Sequence, residues 1–438
     1  MSSDRKTFLA HALQTYGTQL VLLPLSLTAS ALQARLIGPT GRGQVAILLA
    51  SVGFGSLLLG LGISSSVTFH VSSGQLTPGS LRPLLSRFLI GATALLVGIA
   101  AVLHLLGYEQ WLIGSLPPAA GLVALTVLFA LALINGWLTA VLSARRAFPR
   151  INRAALFAGL IPTTVYAIAL AIVGRREVAS AGTLSFVLGT MVSVELLRCG
   201  ALSFGVTAVE QTSPPPSAAP HLKGLLAYSL LAYACDTIQY FTYRADVWVM
   251  KANRPEAELG HYSLAVTLAE MTLLAAGAFA TVLFPHVTTV SPVEAVKTTA
   301  RVAAVTLGAT TVIAVVGFAL AVPLLPIIFT ESFRPSVQLL AILLLGVVPM
   351  SVAKILGNYF AGSRQLEVCL VAAIVGMVVC VSGDLLTIPR SGAVGAAICT
   401  SVAYGVFTMM LVVAFVRRSP IPVRELIQAI RSRPKAST

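Results

Sequence analysis

Residues 235–250 read Cys-Asp-Thr-Ile-Gln-Tyr-Phe-Thr-Tyr-Arg-Ala-Asp-Val-Trp-Val-Met, the centre of a longer apolar stretch from Tyr228 to Phe284. Asp236, Gln239, Tyr240, Tyr243 and Asp246 recur at i, i+3, i+4, i+7 and i+10, which places them on one face of a helix. Arg244 falls one turn beyond Tyr240, at the edge of that face. Two carboxylates and a guanidinium in such surroundings point to a membrane-embedded polar interior. Ionisable groups at that depth cost several kcal/mol and face a bundle interior or a water-filled path serving ions or substrate. The helix expected from Leu259 repeats the device with Ser263, Thr267 and Glu270. The remaining chain is a scaffold around these groups.

That scaffold is hydrophobic throughout. Of 438 residues, 57% are hydrophobic and 10% charged, with a mean hydropathy of +0.90. Long apolar runs separated by short basic loops define a multi-pass membrane protein, all-α in class. Twelve spans are expected, at about 8–33, 45–69, 84–107, 119–143, 154–174, 181–207, 224–249, 259–284, 301–325, 337–361, 366–388 and 393–416. Each approaches the ~20 residues that a crossing requires. Pro24, Pro162, Pro323 and Pro349 lie inside or at the ends of spans, where neighbouring helices or water re-satisfy the freed carbonyls. The first apolar run is long and polar-striped, so it is expected to be a span and not a cleaved leader.

The net charge of +14 belongs to topology and not to nucleic acid. With the N-terminus inside, 18 of the 29 Lys and Arg residues fall on inner segments and 8 on outer loops. This bias puts both termini in the cytoplasm. The only break in composition is the Pro-rich stretch 210–223, with Ser213-Pro214-Pro215-Pro216 and Pro220. It makes a semi-rigid cytoplasmic linker. Domains are therefore expected at 1–209 (first to sixth spans), 210–223 (linker), 224–416 (seventh to twelfth spans) and 417–438 (a basic tail). A shift of 217 residues lays Gly43-Gln44 on Gly260-His261 and Gly60 on Gly277, as a repeat of six-helix halves requires. The tail sets Arg417, Arg418, Arg424, Arg431, Arg433 and Lys435 around Leu426, Ile427 and Ile430. It is either an amphipathic helix on anionic lipid or a solvated flank.

Other polar residues within spans have two readings. His11, Gln14, Thr15, Thr18, Gln19, Ser26 and Gln33 stripe the first span, lining a cavity or packing a neighbouring helix through hydrogen bonds. Asn135, Thr139 and Ser143 form a lesser stripe on the fourth. Asp236 and Asp246 either titrate or bind a cation, or are neutralised by Arg244 or Lys354. Glu195 and Arg198 make a local pair. Asp384 falls near an outer end, where water solvates it. Cys199, Cys235, Cys369, Cys380 and Cys399 show no ligand spacing and are expected as small core residues, with neither disulfide nor metal. No GxSxG, HExxH or Walker sequence is present, so no catalytic constellation and no cofactor are expected.

Several short sequences together resemble the polysaccharide (O-antigen type) flippases of the multidrug/oligosaccharidyl-lipid/polysaccharide exporter superfamily. Ala34-Arg35-Leu36-Ile37-Gly38-Pro39 followed by Gly41-Arg42-Gly43 is similar to that family's first outer loop. Tyr243-Arg244-Ala245-Asp246 with Leu259 to Ala265 resembles its seventh-to-eighth span signature. Leu283-Phe284-Pro285 and Gly392 to Ala397 match as well. The resemblance implies two pseudo-symmetric six-helix lobes around a V-shaped cavity, working by alternating access in the bacterial inner membrane. The implied cargo is an undecaprenyl-pyrophosphate-linked oligosaccharide, with membrane lipids and a polysaccharide polymerase or ligase as partners. Arg244, Lys354 and Arg35 suit pyrophosphate, Tyr240, Tyr243, Gln14 and Gln19 suit sugar, and Asp236, Asp246 or Glu270 suit coupling to protons or Na⁺. The chain lacks the first-span arginines of lipid-II flippases and the first-span acid of many multidrug exporters. Those two exporter types stay open as alternatives. So, in other classes, do a polyprenyl-linked glycosyltransferase or ligase and a membrane scaffold of cell-wall synthesis.

Overall fold

The computed structural model describes residues 2–72, 76–173, 181–210, 222–287, 290–363 and 365–431. The regular structure described is helical: in lipid every backbone polar group must be satisfied within the segment, which a helix does. Contacts divide the chain into two compact units, Met1–Thr237 and Ile238–Thr438. The expected linker falls at 211–221, outside the described residues.

The first unit contains α1 (Ser2–Gly60), α2 (Ile63–Ser72), α3 (Pro78–Leu105) and the short α4 (Gln110–Ile113). These are followed by α5 (Pro118–Ala144), α6 (Phe148–Val173) and α7 (Ala181–Glu210). Its centre is α5, which packs against α1, α2, α3 and α7 and buries Leu125, Phe129 and Leu142 completely. Helix α3 starts where Thr77 accepts from the Ser80 amide (3.4 Å) and Pro78 supplies the first turn.

Helix α8 (Leu222–Asn253) runs across the division, and the second unit continues with α9 (Glu256–Met271), α10 (Leu274–Val287) and α11 (Pro292–Phe329). A 3-10 turn at Glu331–Phe333 leads into α12 (Pro335–Gly362), α13 (Leu366–Arg417) and α14 (Val423–Arg431). Here α12 is the hub, packed on α9, α10, α11 and α13. Gly346 lets α12 lie against the backbone of Ser401 on α13, where a Cβ would collide with the Ser401 Cα.

Among the described residues eight helices are long and apolar enough to cross a membrane. Two of them, α1 and α13, are each a pair of helices joined at a glycine in the left half of backbone space, Gly38 (φ 64°) and Gly392 (φ 58°). The segment 34–44, expected as an outer loop, is therefore helical except at Gly38: the glycine takes the turn and Pro39 opens the next helix. Two expected spans are broken. Segment 45–69 turns at Leu61 and Gly62, both at positive φ. Segment 259–284 divides into α9 and α10 at Thr272-Leu273. Many large apolar side chains, including Ile90, Phe204 and Leu345, lie exposed on the long helices, as lipid-facing residues do.

Candidate functional site

Two networks meet on α8. The first surrounds Asp246, which is 4% exposed. The Tyr262 hydroxyl on α9 donates to Asp246 Oδ2 (2.5 Å) and lies 3.0 Å from Thr400 Oγ1 on α13. Close enough to interact electrostatically is a second carboxylate, Asp384 on α13, which is 0% exposed. Its Oδ2 accepts from Cys380 Sγ at 3.6 Å, and that sulfur also lies 3.5 Å from the Thr242 carbonyl. Oδ1 of Asp246 and Oδ1 of Asp384 have no hydrogen-bond partner among the described residues. Two buried carboxylates, each with an idle oxygen, are not a self-sufficient core: an unsatisfied buried acceptor costs about 1–3 kcal/mol, and two like charges repel. A proton would relieve both costs at once, and carboxylate, hydroxyl and carbonyl oxygens are the ligand types that a hard cation takes.

The second network is half-buried. Arg244 Nη2 lies 3.7 Å from Glu270 Oε1, and both side chains are 38% exposed. Lys354 on α12 lies within electrostatic reach of the same carboxylate, so two cations share one anion. Aromatic rings border them: Tyr243 stands edge-on to Tyr404 (5.6 Å between centroids), and Tyr240 packs on Trp248 (6.4 Å). Asp246 and Arg244 are two residues apart, about 200° around a helix, and so serve opposite sides of α8.

At one end of the second unit, charged residues hold the break in α13. Arg254, just after α8, donates through Nε to the Ile388 carbonyl (3.1 Å) and through Nη2 to that of Pro389 (3.2 Å). Glu258 Oε1 accepts from the Ala393 amide (2.7 Å). A cation thus caps the C-terminal end of the first half of α13 and an anion the N-terminal end of the second, as the helix dipoles favour. Lys251 and Glu256 pair beside them (2.7 Å).

The structure brings Arg244, Glu270, Lys354, Tyr240, Tyr243 and Asp246 into the second unit. Asp384 corrects the expectation of a solvated group: its position in the chain is near a span end, but the helix carries it into full burial beside Asp246. Of the partners expected for Asp246, Arg244 is close enough to interact with it electrostatically. The direct contacts differ: Arg244 lies against Glu270, and Tyr262 donates to Asp246. Ser263 and Thr267 bond back to carbonyls of their own helix. The side chains of Asp236 and Gln14 lie outside the described residues.

In the first unit, Gln19 is exposed, Arg35 is half-buried and Gln33 meets Met191 on α7 (3.8 Å). Asn135 is buried and donates to Glu195 Oε2 (2.7 Å), which also pairs with Arg198 (3.6 Å). Sequence reasoning passed over Thr400 and gave no site role to Tyr262 or to Cys380, which it read as a small core residue and which is buried. Only Tyr262 left a signal, as a phenol two turns before Glu270 on a helix already suspected.

The fold is shared with solved transporters. The chain aligns over 97% of its length with 90% of a lipid II flippase MurJ in an inward closed conformation, at TM-score 0.65 and 12% identity. It aligns over 94% with 96% of an inward-facing multidrug resistance MATE family transporter of the MOP superfamily, at TM-score 0.64 and 14% identity. The Vibrio cholerae MATE transporter VcmN in its bent form matches at TM-score 0.51 and 14% identity, over 92% of this chain and 99% of that one. What the chain shares with these structures is the fold, an all-α multi-span membrane bundle. A family model described as polysaccharide biosynthesis protein matches residues 32–338, and the chain belongs to that family. No curated protein sequence matches the chain.

Proposed function

We propose that the protein is a flippase that carries a polyprenyl-pyrophosphate-linked oligosaccharide across the bacterial cytoplasmic membrane by alternating access. Twelve spans and cytoplasmic termini complete the reading, with α1 and α13 each crossing twice and the Pro-rich stretch 210–223 joining the halves. The observation that carries it is the two-sidedness of α8. Its half-buried side offers Arg244, with Lys354 nearby, to a pyrophosphate, and Tyr240 and Tyr243 to sugar rings. Its buried side offers Asp246, with Asp384, to a proton or Na⁺. Loading the carboxylate pair removes repulsion that resists packing of α8 against α13, and a shift of α8 also moves Arg244. Ion occupancy and cargo affinity are thereby linked through one helix, and linkage makes the coupling reciprocal. Glu270 holds the cations in place until phosphate competes for them. Arg35 and Gln19 from the first unit are secondary candidates for cargo contact, and Asp236 is a further candidate for coupling. The family's description, polysaccharide biosynthesis protein, favours a saccharide cargo over a drug.

The test is complementation of a bacterial host lacking its oligosaccharide flippase. Wild type restores surface glycan. Arg244→Ala and Lys354→Ala, expressed at wild-type level, lose it through cargo binding, and Asp246→Asn loses it through coupling. Full activity in all three variants would make these charges structural and overturn the reading.

A further inference from the structure

The networks on α8 leave one pair of membrane-embedded charges unexplained, in the first unit. Glu195 stands midway along α7 (Ala181–Glu210), and so near the middle of a span. It is nine residues from both Phe186 and Phe204, whose rings are exposed. Nine residues are two and a half turns, so Glu195 points away from those lipid-facing rings. Arg198 follows one turn on, on the same inward side as the buried Val194 and Leu202. Although both point inward, the Glu195 and Arg198 side chains are 32% and 35% exposed. Charges at that depth are not left against hydrocarbon, so α7 faces a polar opening at this level.

The pair is loosely made. Arg198 Nη1 lies 3.6 Å from Glu195 Oε2, too far for a hydrogen bond, and the guanidinium makes none among the described residues. Oε2 is taken instead by the Asn135 amide on α5 (2.7 Å), which also donates to the Glu195 carbonyl (3.2 Å). Asn135 is 3% exposed, and its Oδ1 has no hydrogen-bond partner among the described residues. The same holds for Thr139 Oγ1, one turn further along α5. Gln33 of α1 reaches Met191, one turn before Glu195 on α7. A purely structural pair closes on itself. This one leaves guanidinium donors, a carboxylate oxygen and two idle oxygens along the contact of α5 with α7.

Charge decides what ligand suits such a place. A metal ion or a proton would meet the Arg198 cation, and a phosphate would meet the Glu195 anion. A neutral polyol meets neither penalty, and each of its hydroxyls can both donate and accept. A carboxylate beside a guanidinium therefore holds two neighbouring hydroxyls, the first oxygen accepting from one and the fork donating to the other. We propose that the α5–α7 contact of the first unit is a saccharide subsite. Glu195 Oε1 and Arg198 hold neighbouring hydroxyls of the cargo's sugar, and Asn135 fixes the carboxylate through Oε2. The assignment rests on the flippase reading and adds to it a place of sugar contact apart from Tyr240 and Tyr243 on α8.

The test measures binding of two lipids to the detergent-purified full chain. One is undecaprenyl pyrophosphate, and the other is the undecaprenyl-pyrophosphate-linked oligosaccharide extracted from the host that wild type complements. Wild type is expected to bind the glycosylated lipid about tenfold more tightly than the bare one, as one charge-assisted hydrogen bond can supply. Glu195→Gln and Arg198→Ala should each bring that ratio to within about threefold, with affinity for the bare lipid within about twofold of wild type. Phe204→Ala, on the opposite side of α7, should keep the wild-type ratio. A wild-type ratio near one, or a full ratio in both Glu195→Gln and Arg198→Ala, would overturn the subsite and leave the flippase reading standing. So would equal losses for the two lipids in these variants, which would make the pair a structural bond. Arg244→Ala should weaken both lipids alike; undiminished binding there would count against the pyrophosphate reading and leave the subsite standing. Binding of neither lipid by wild type would overturn both.

Discussion

At the scale of single residues, burial separates groups of the same chemical type. Glu270 is a carboxylate with a cation beside it and access to water, whereas Asp384 is a carboxylate with one idle oxygen and no exposure. Removing a charge therefore has opposite consequences at the two positions. Asp384→Asn should leave thermal stability in detergent unchanged or raise it, because an amide is less costly to bury than an unpaired carboxylate. Its transport should nevertheless fall, a trade of function for stability. Tyr262→Phe should lower the unfolding temperature: the phenol serves both Asp246 and Thr400, and its loss leaves a buried carboxylate uncompensated, at about 1–3 kcal/mol. Both are read by a thermal melt beside the complementation assay. An Asp384→Asn variant much less stable than wild type would mean that this carboxylate is a structural bond.

The elements show how much depends on a few backbone positions. Helix α13 has 52 residues, about twice what a crossing needs, and it turns at one of them. At Gly392 the φ of 58° suits only glycine, and an added Cβ would collide with Glu258 Oε1. Gly392→Ala should cost about 1–3 kcal/mol in backbone strain before that clash is counted. Glu258→Ala, which uncaps the Ala393 amide, should cost about 1 kcal/mol. The two should not add: once Gly392→Ala has displaced the carboxylate, removing it costs less. A double variant whose loss equals the sum of the single losses would show that Glu258 does not hold the break. The apolar runs on either side of Gly392 were legible as two spans. That the helices on either side of Gly38 run right up to it was not, because a glycine before a proline marks a turn without saying how much backbone the turn consumes.

For the whole molecule the decisive property is orientation. The excess of Lys and Arg on alternate loops carries the proposal that both termini and the 210–223 stretch are cytoplasmic. Fluorescent-protein fusions at Thr438 or within 211–221 should therefore glow, while alkaline phosphatase fused there stays inactive. Phosphatase fused after Arg254 or Arg334 should be active. An active phosphatase at the C-terminus would reverse the proposed orientation.

Composition, the length of the apolar runs and the placement of arginine were enough to determine a helical membrane protein, because a bilayer constrains length and backbone satisfaction more tightly than water does. Periodicity alone drew attention to α8 and to Arg244, Asp246 and Glu270. It could not say which charges meet. Arg244 and Asp246 look like partners along one edge, yet a rotation of about 200° sends one to Glu270 and the other to Tyr262. Asp384, 138 residues from Asp246, gave no local sign of joining it. That pairing required α8, α9 and α13 to be packed together. Hydrophobic pattern is periodic along a chain and can be read from it, whereas the convergence of polar groups is a property of packing among helices distant in sequence.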